Sequence, residues 1–231
     1  MNNQKEQWEE SYRKKDNFVF YPHEEIIRFF SKYIHKRTGF NSFDKKHNLT
    51  TKPKVLDLGC GIGRHIIFSN AMQTEAYGVD LSQSAINLAI EWAKKENVLN
   101  AENNILQADI TKMPFENNFF DFIISHGVLD SMSEENCQKA IIDSCRVLKD
   151  GGYFYCDLIS GNDSFHSPDF HGEEMVQTEH EKDTIQLYFN KSLIEKMFSK
   201  YFEVKELILV KRENVLSNQY TSRYHVILRK K

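Results

Sequence analysis

The chain has 231 residues, 40% of them hydrophobic and 27% charged, with a formal net charge of −3. That length buries a full core as one large domain or two small ones, and the composition excludes disordered and fibrous classes. The slight acidity argues against a nucleic-acid partner, which ordinarily shows a basic excess.

The N-terminal stretch MNNQKEQWEESYRKK is polar, without the apolar core of a signal peptide, and no later run approaches the ~20 apolar residues of a membrane span. A cytoplasmic location with no membrane partner is expected. Cys60, Cys137, Cys145 and Cys156 form no C-x-x-C pair and no cluster with histidine at zinc spacing, so neither a metal site nor a disulfide framework is expected.

Residues 5–37 read as helical, in two pieces separated near Pro22. The second piece gathers Ile26, Ile27, Phe29, Phe30, Tyr33 and Ile34 on a broad apolar face, with proline near its start. Residues 36–53 are polar and without periodicity, so residues 1–50 are expected to form an N-terminal helical arm and 51–231 the main domain. From Lys54 onward short apolar runs alternate with helical segments. The strand-like runs are KVLDLG (54–59), EAYGVD (75–80), NILQAD (104–109), FFDFIISH (119–126) and GYFYCDLI (152–159), and helices are predicted over 63–72, 83–96 and 134–148. This alternation predicts βαβ units with a parallel sheet and right-handed crossovers.

A polar insert at about 160–183 then breaks the pattern. It is followed by a short strand, a helix for which Asn190 is the predicted N-cap, and two strands over 203–214 and 221–231 that read as an antiparallel pair. A parallel sheet finished by an antiparallel edge is the expected architecture.

The first strand ends in VLDLGCGIGRH (55–65), a bend of the kind that holds a ligand at the start of a helix. A P-loop requires Lys-Ser/Thr after its last glycine, and Arg64-His65 stand there instead. The dinucleotide pattern G-x-G-x-x-G needs a third glycine where Arg64 stands, which leaves NAD as the runner-up. The stretch VLDLGCGIG resembles the first motif of the class I S-adenosylmethionine (SAM)-dependent methyltransferases, whose small-molecule members the chain is similar to over residues 54–159 and beyond.

That resemblance implies an α/β, Rossmann-like seven-stranded sheet, mostly parallel with an antiparallel C-terminal strand and helices on both faces. It implies SAM as cofactor, with Asp57, Gly59, Cys60, Gly61 and Gly63 under the methionine half. Asp80 and Leu81 would meet the ribose, Asp109 and Ile110 the adenine, and Ser125 and His126 would complete the wall. The ~20-residue offset from Gly59 to Asp80 suits a carboxylate on ribose hydroxyls in NAD and SAM enzymes alike.

Methyl transfer asks mainly for alignment, and for a base only where the nucleophile must lose a proton. His126, at the end of the fourth strand, is the expected base, with Asp130 a turn further on to orient it or touch substrate. His166 and His171 in the insert are the alternatives. Trp8 and Tyr12, four residues apart on one helix face, are expected to form a lid. The acids of the insert, Asp163, Asp169, Glu173, Glu174, Glu179, Glu181 and Asp183, outnumber its single Lys182 and would favour a cationic or amine acceptor. The sequence thus predicts O- or N-methylation of a small molecule, against an NAD-dependent oxidoreductase or a non-catalytic nucleoside-binding or partner-binding protein. It leaves the oligomeric state open.

Overall fold

The computed structural model describes residues 2–14, 18–167, 169–177 and 184–231. The chain opens with α1 (Asn2–Lys14), then α2 (Glu24–Phe29), which widens into a π turn over Phe30–Ile34. Where the sequence leads one to expect only a connector, a small antiparallel hairpin forms from β1 (His35–Arg37) and β2 (Phe43–Lys45). The alternating part follows as β3 (Lys54–Leu58), α3 (Arg64–Ala71), β4 (Glu75–Asp80), α4 (Gln83–Lys95), α5 (Ala101–Asn104) and β5 (Ile105–Gln107). It continues through β6 (Phe120–Ser125), α6 (Glu134–Val147) and β7 (Leu148–Ile159). The polar insert carries a second hairpin, β8 (Gly172–Met175) with β9 (Ile185–Tyr188), and the chain closes with α7 (Lys191–Phe198), β10 (Phe202–Asn214) and β11 (Gln219–Lys230).

Seven strands form the main sheet in the order β10-β11-β7-β6-β3-β4-β5. The pairs from β7 to β5 are parallel, and β11 runs antiparallel to both β7 and β10. The fold expected from the sequence is the fold present. Capping follows local chemistry: Ser82 and Ser133 cap α4 and α6, and Asn190 accepts the Leu193 N–H at 2.8 Å at the start of α7, as its position before the apolar run predicts. β5 is shorter than expected because Asp109 accepts the Thr111 N–H at 2.8 Å and turns the chain out of the ladder.

Alternation along the strands sends successive side chains to opposite faces. Leu56, Leu58, Val79, Ile123, Phe154 and Leu228 pack beneath α6 and α7. Val55, Phe122, Ile124, Tyr155 and Ile227 face the other way and meet Ile26, Phe29, Phe30 and Ile34. The second N-terminal helix is therefore a layer of the core, while α1 lies apart from these core clusters. Emptying the fully buried Phe29 position by substitution with alanine would cost about 3–5 kcal/mol.

Chain order runs outward from β3 through β4 to β5, then returns to build β6 and β7 on the other side. The strand order thus reverses between β3 and β6, and a crevice opens there at the carboxyl ends of the strands.

Candidate active site

The cleft at this reversal has a volume of about 410 Å³, within the ~300–1,000 Å³ of small-molecule sites. Its floor is the bend after β3. Gly61 sits at φ +53°, and a Cβ there would lie 2.6 Å from the hydroxyl of Tyr12, so only glycine admits α1 this close. Asp80, at the end of β4, accepts the Gly61 N–H and the Ser82 N–H, each at 2.9 Å. Burial pushes its carboxyl up to about 6, against the pull of those two N–H groups. Gly59, Cys60, Gly61, Asp80, Leu81, Asp109, Ile110 and His126 all line this cleft, so eight expected contacts converge on one space.

Three expected contacts stand back from it. Asp57 is buried, with Oδ2 lacking a hydrogen-bond partner and lying 3.6 Å from Nδ1 of His65, which itself lines the cleft. Ser125 is buried in β6. Gly63 serves helix packing, since a Cβ there would meet that of Ala89 on α4 at 3.2 Å.

The roof comes from the N-terminal segment: Trp8, Tyr12 and Val19 line the cleft. α1 is held there by Glu9, which accepts hydrogen bonds from the Ser82 hydroxyl at 2.7 Å and from the Ser84 hydroxyl at the start of α4. Both aromatic side chains expected at the lid are thus at the site, and Glu9 is the clasp that the sequence did not single out.

Behind the cleft lies a polar network. Nη2 of Arg64 donates to Nδ1 of His126 at 3.2 Å. A guanidinium only donates, so Nδ1 carries the lone pair and Nε2 the proton; Nε2 is buried without a hydrogen-bond partner, 3.5 Å from Oδ2 of Asp157. Burial drives the His126 imidazole down to about 3; Arg64, His23 and His65 push the same way and Asp157 opposes them. His126 is therefore neutral at pH 7, and its basic nitrogen is covered. His23 packs against its ring with centroids 4.0 Å apart, and His65 accepts the His23 N–H on Nε2 at 3.3 Å.

Asp157, not Asp130, is the acid beside His126. Asp157 accepts the Gly127 N–H at 2.7 Å and Nε of Arg223 at 2.5 Å. Burial works to raise its carboxyl, but Arg223 and His126 outweigh it and hold the carboxyl below the ordinary range. Asp130 is only 1% exposed, accepts the Ile159 N–H at 2.8 Å and pairs with Arg223, so it is a buried ion-pair partner rather than a cleft residue.

The insert histidines lie outside the cleft lining. His166 stacks on Phe170 and sits 2.9 Å from Asp163 and 3.2 Å from Glu174. Burial would lower it, but those two acids prevail and raise it above its ordinary value. Nδ1 of His171 is 2.9 Å from the Asn190 amide. Glu179, Glu181, Lys182 and Asp183 lie outside the described residues.

Sequence reasoning passed over Arg64, His65, His23, Asp157 and Arg223 as contributors. Asp157 had a signal, an acid inside the apolar run GYFYCDLI. His23 had none, because it approaches only through the fold of the N-terminal segment.

Comparison with known proteins gives a consistent picture. A family model described as a methyltransferase domain matches residues 49–219. An uncharacterized methyltransferase of Schizosaccharomyces pombe is 35% identical over 116 residues, covering 46% of this chain and 41% of its own length. A sterol 24-C-methyltransferase of Gibberella zeae is 34% identical over 114 residues, covering 47% of this chain and 28% of its own. The match thus spans less than half the length of either curated relative. Among solved structures, the 1,6-didemethyltoxoflavin-N1-methyltransferase of Burkholderia thailandensis, with 1,6-didemethyltoxoflavin and S-adenosylhomocysteine bound, aligns with a TM-score of 0.69 at 13% identity. That alignment covers 98% of this chain and 86% of that one, a likeness of fold.

Proposed function

The chain belongs to the class I SAM-dependent methyltransferases, and on that premise we propose that it transfers a methyl group from SAM to an oxygen or nitrogen nucleophile of a small-molecule acceptor. The observation that carries the reading is the joined unit of Gly61 and Asp80 under a roof of Trp8 and Tyr12.

The residues fit the cofactor. The bend admits no Cβ at Gly61, so its bare backbone borders the cleft where the amino-acid end would lie. The Asp80 carboxylate lies on the same wall, where it would accept the ribose hydroxyls, and Asp109, Ile110 and Thr111 line the next stretch, where the adenine would lie. When bound, SAM supplies a methyl group on positively charged sulfur, activated for in-line displacement. The chain's own task is alignment, which can supply ~7–11 kcal/mol of the barrier. Trp8, Tyr12 and Val19 cover part of the cleft from above, and a bound cofactor and acceptor beneath them would be screened from water on that side.

A roof this close over a cleft of about 410 Å³ favours a small acceptor over a folded polymer. The test is transfer of labelled methyl from SAM into fractionated cell extract. Label in the small-molecule fraction is expected; label confined to RNA or protein would overturn the acceptor class.

A further inference from the structure

Arg64 is the single arginine or lysine lining the cleft among the described residues. Its guanidinium bears five N–H donors and is half-buried, yet its hydrogen-bond partner is a neutral imidazole nitrogen, and no carboxylate of the described residues stands within ion-pair distance. A part-buried cation held this way has no carboxylate in direct contact, and Asp57 and Asp157 attract it only from beyond ion-pair distance. Arg64 follows directly on the glycine bend, where the amino-acid end of the cofactor is expected.

We propose that Arg64 is a removable cap on His126: the carboxylate of the bound cofactor draws the guanidinium away, and Nδ1 of His126 faces the acceptor only in the loaded enzyme. The inference rests on the methyltransferase reading and adds to it a reason for the covered base. The groups facing His126 are Arg64 and His65 from α3, His23 from the segment before α2, and Asp157 from β7, itself paired with Arg223 of β11. Of those facing it, Arg64 alone is a permanent cation. Its withdrawal exposes the lone pair and leaves Asp157 as the dominant charge.

In the step that follows, the acceptor's lone pair forms the bond to the methyl carbon while the carbon–sulfur bond breaks onto sulfur. The acceptor's proton passes to Nδ1 of His126, and the imidazolium keeps its Nε2–H, 3.5 Å from the Asp157 carboxylate that offsets its charge. His126 is the catalytic residue here; Arg64 and Asp157 are positioning residues. An acceptor that enters before the cofactor finds no base.

The test is nitrogen NMR of the histidine rings in the full chain, titrated free, with S-adenosylhomocysteine, and with 5′-methylthioadenosine, which lacks the amino-acid group. In the free protein His126 should stay neutral down to about pH 4.5, since a neighbouring cation and burial both oppose its charging. S-adenosylhomocysteine should bring its titration up by about one pH unit or more, while methylthioadenosine leaves it unmoved. In Arg64→Gln the titration should already be raised and respond no further. Binding of S-adenosylhomocysteine with no movement of His126, or equal movement by methylthioadenosine, overturns the cap alone. Failure of S-adenosylhomocysteine to bind overturns the methyltransferase reading as well.

Discussion

The carboxylate of Asp80 accepts the backbone N–H of Gly61 at 2.9 Å, so the acid that ends β4 and the bend that ends β3 are one hydrogen-bonded unit. Burial lifts the Asp80 carboxyl to about 6. Because this folded-state value lies above the unfolded one of ~3.9, the stability Asp80 contributes is fully present below pH ~4 and is lost as pH rises through about 6. Ligand binding runs the other way, since hydroxyls donate best to the ionised acid. Affinity for S-adenosylhomocysteine should therefore rise between pH 5 and 7, and Asp80→Asn should flatten the profile. Calorimetry across that range checks it; a flat wild-type profile contradicts the role.

Glu9 joins α1 to the start of α4 through Ser82 and Ser84. Glu9→Ala should raise hydrogen exchange of the α1 amides and weaken S-adenosylhomocysteine binding about tenfold, the scale of one charge-assisted hydrogen bond. The unfolding midpoint should stay near wild type, because α1 lies outside the core clusters. Unchanged exchange in α1 would mean the clasp does not hold the roof.

Arg223 is shared by two buried acids, Asp130 and Asp157. Arg223→Met should cost about 3–5 kcal/mol at pH 7 by leaving those charges unpaired. Arg223 holds Asp157 below its ordinary range, so the stability it gives exists above the unfolded value of ~3.9 and fades as pH falls through the lowered one. The deficit of the variant should accordingly shrink toward pH 4, where its carboxylates protonate. Urea unfolding at pH 7 and pH 4.5 decides; an equal deficit at both would rule out the electrostatic account.

His166 is raised by Asp163 and Glu174, which bind it to the β8–β9 hairpin. Stability from a raised histidine is present below its unfolded value of ~6.5 and lost as pH climbs through the folded one. Amide protection in Gly172–Met175 should fall between pH 6 and 8, and His166→Gln should abolish the dependence. Protection that rises with pH in wild type would overturn this.

The strand-by-strand layout was legible because it is a matter of period and punctuation: apolar runs, glycine bends and capping residues are local. Asp80 and Gly61 were legible because each stands at a strand end and the fold brings the ends together. In the sequence Arg64 shows only as an obstacle to a dinucleotide, since its reach to His126 depends on how α3 lies against the end of β6. Asp130 was expected beside His126 on sequence proximity, whereas the sheet places Asp157 there, from the next strand over. The apolar face of residues 24–34 has no partner nearby in sequence, so its packing against β3, β6, β7 and β11 is visible only in the fold.

The most direct test of the cleft as a SAM site is calorimetric titration of the purified chain with S-adenosylhomocysteine and with NAD. S-adenosylhomocysteine should bind with one-to-one stoichiometry, NAD should give no heat, and Asp80→Ala should weaken the nucleoside by about 1–3 kcal/mol. NAD binding in its place, or an affinity for S-adenosylhomocysteine that Asp80→Ala leaves untouched, would contradict the assignment.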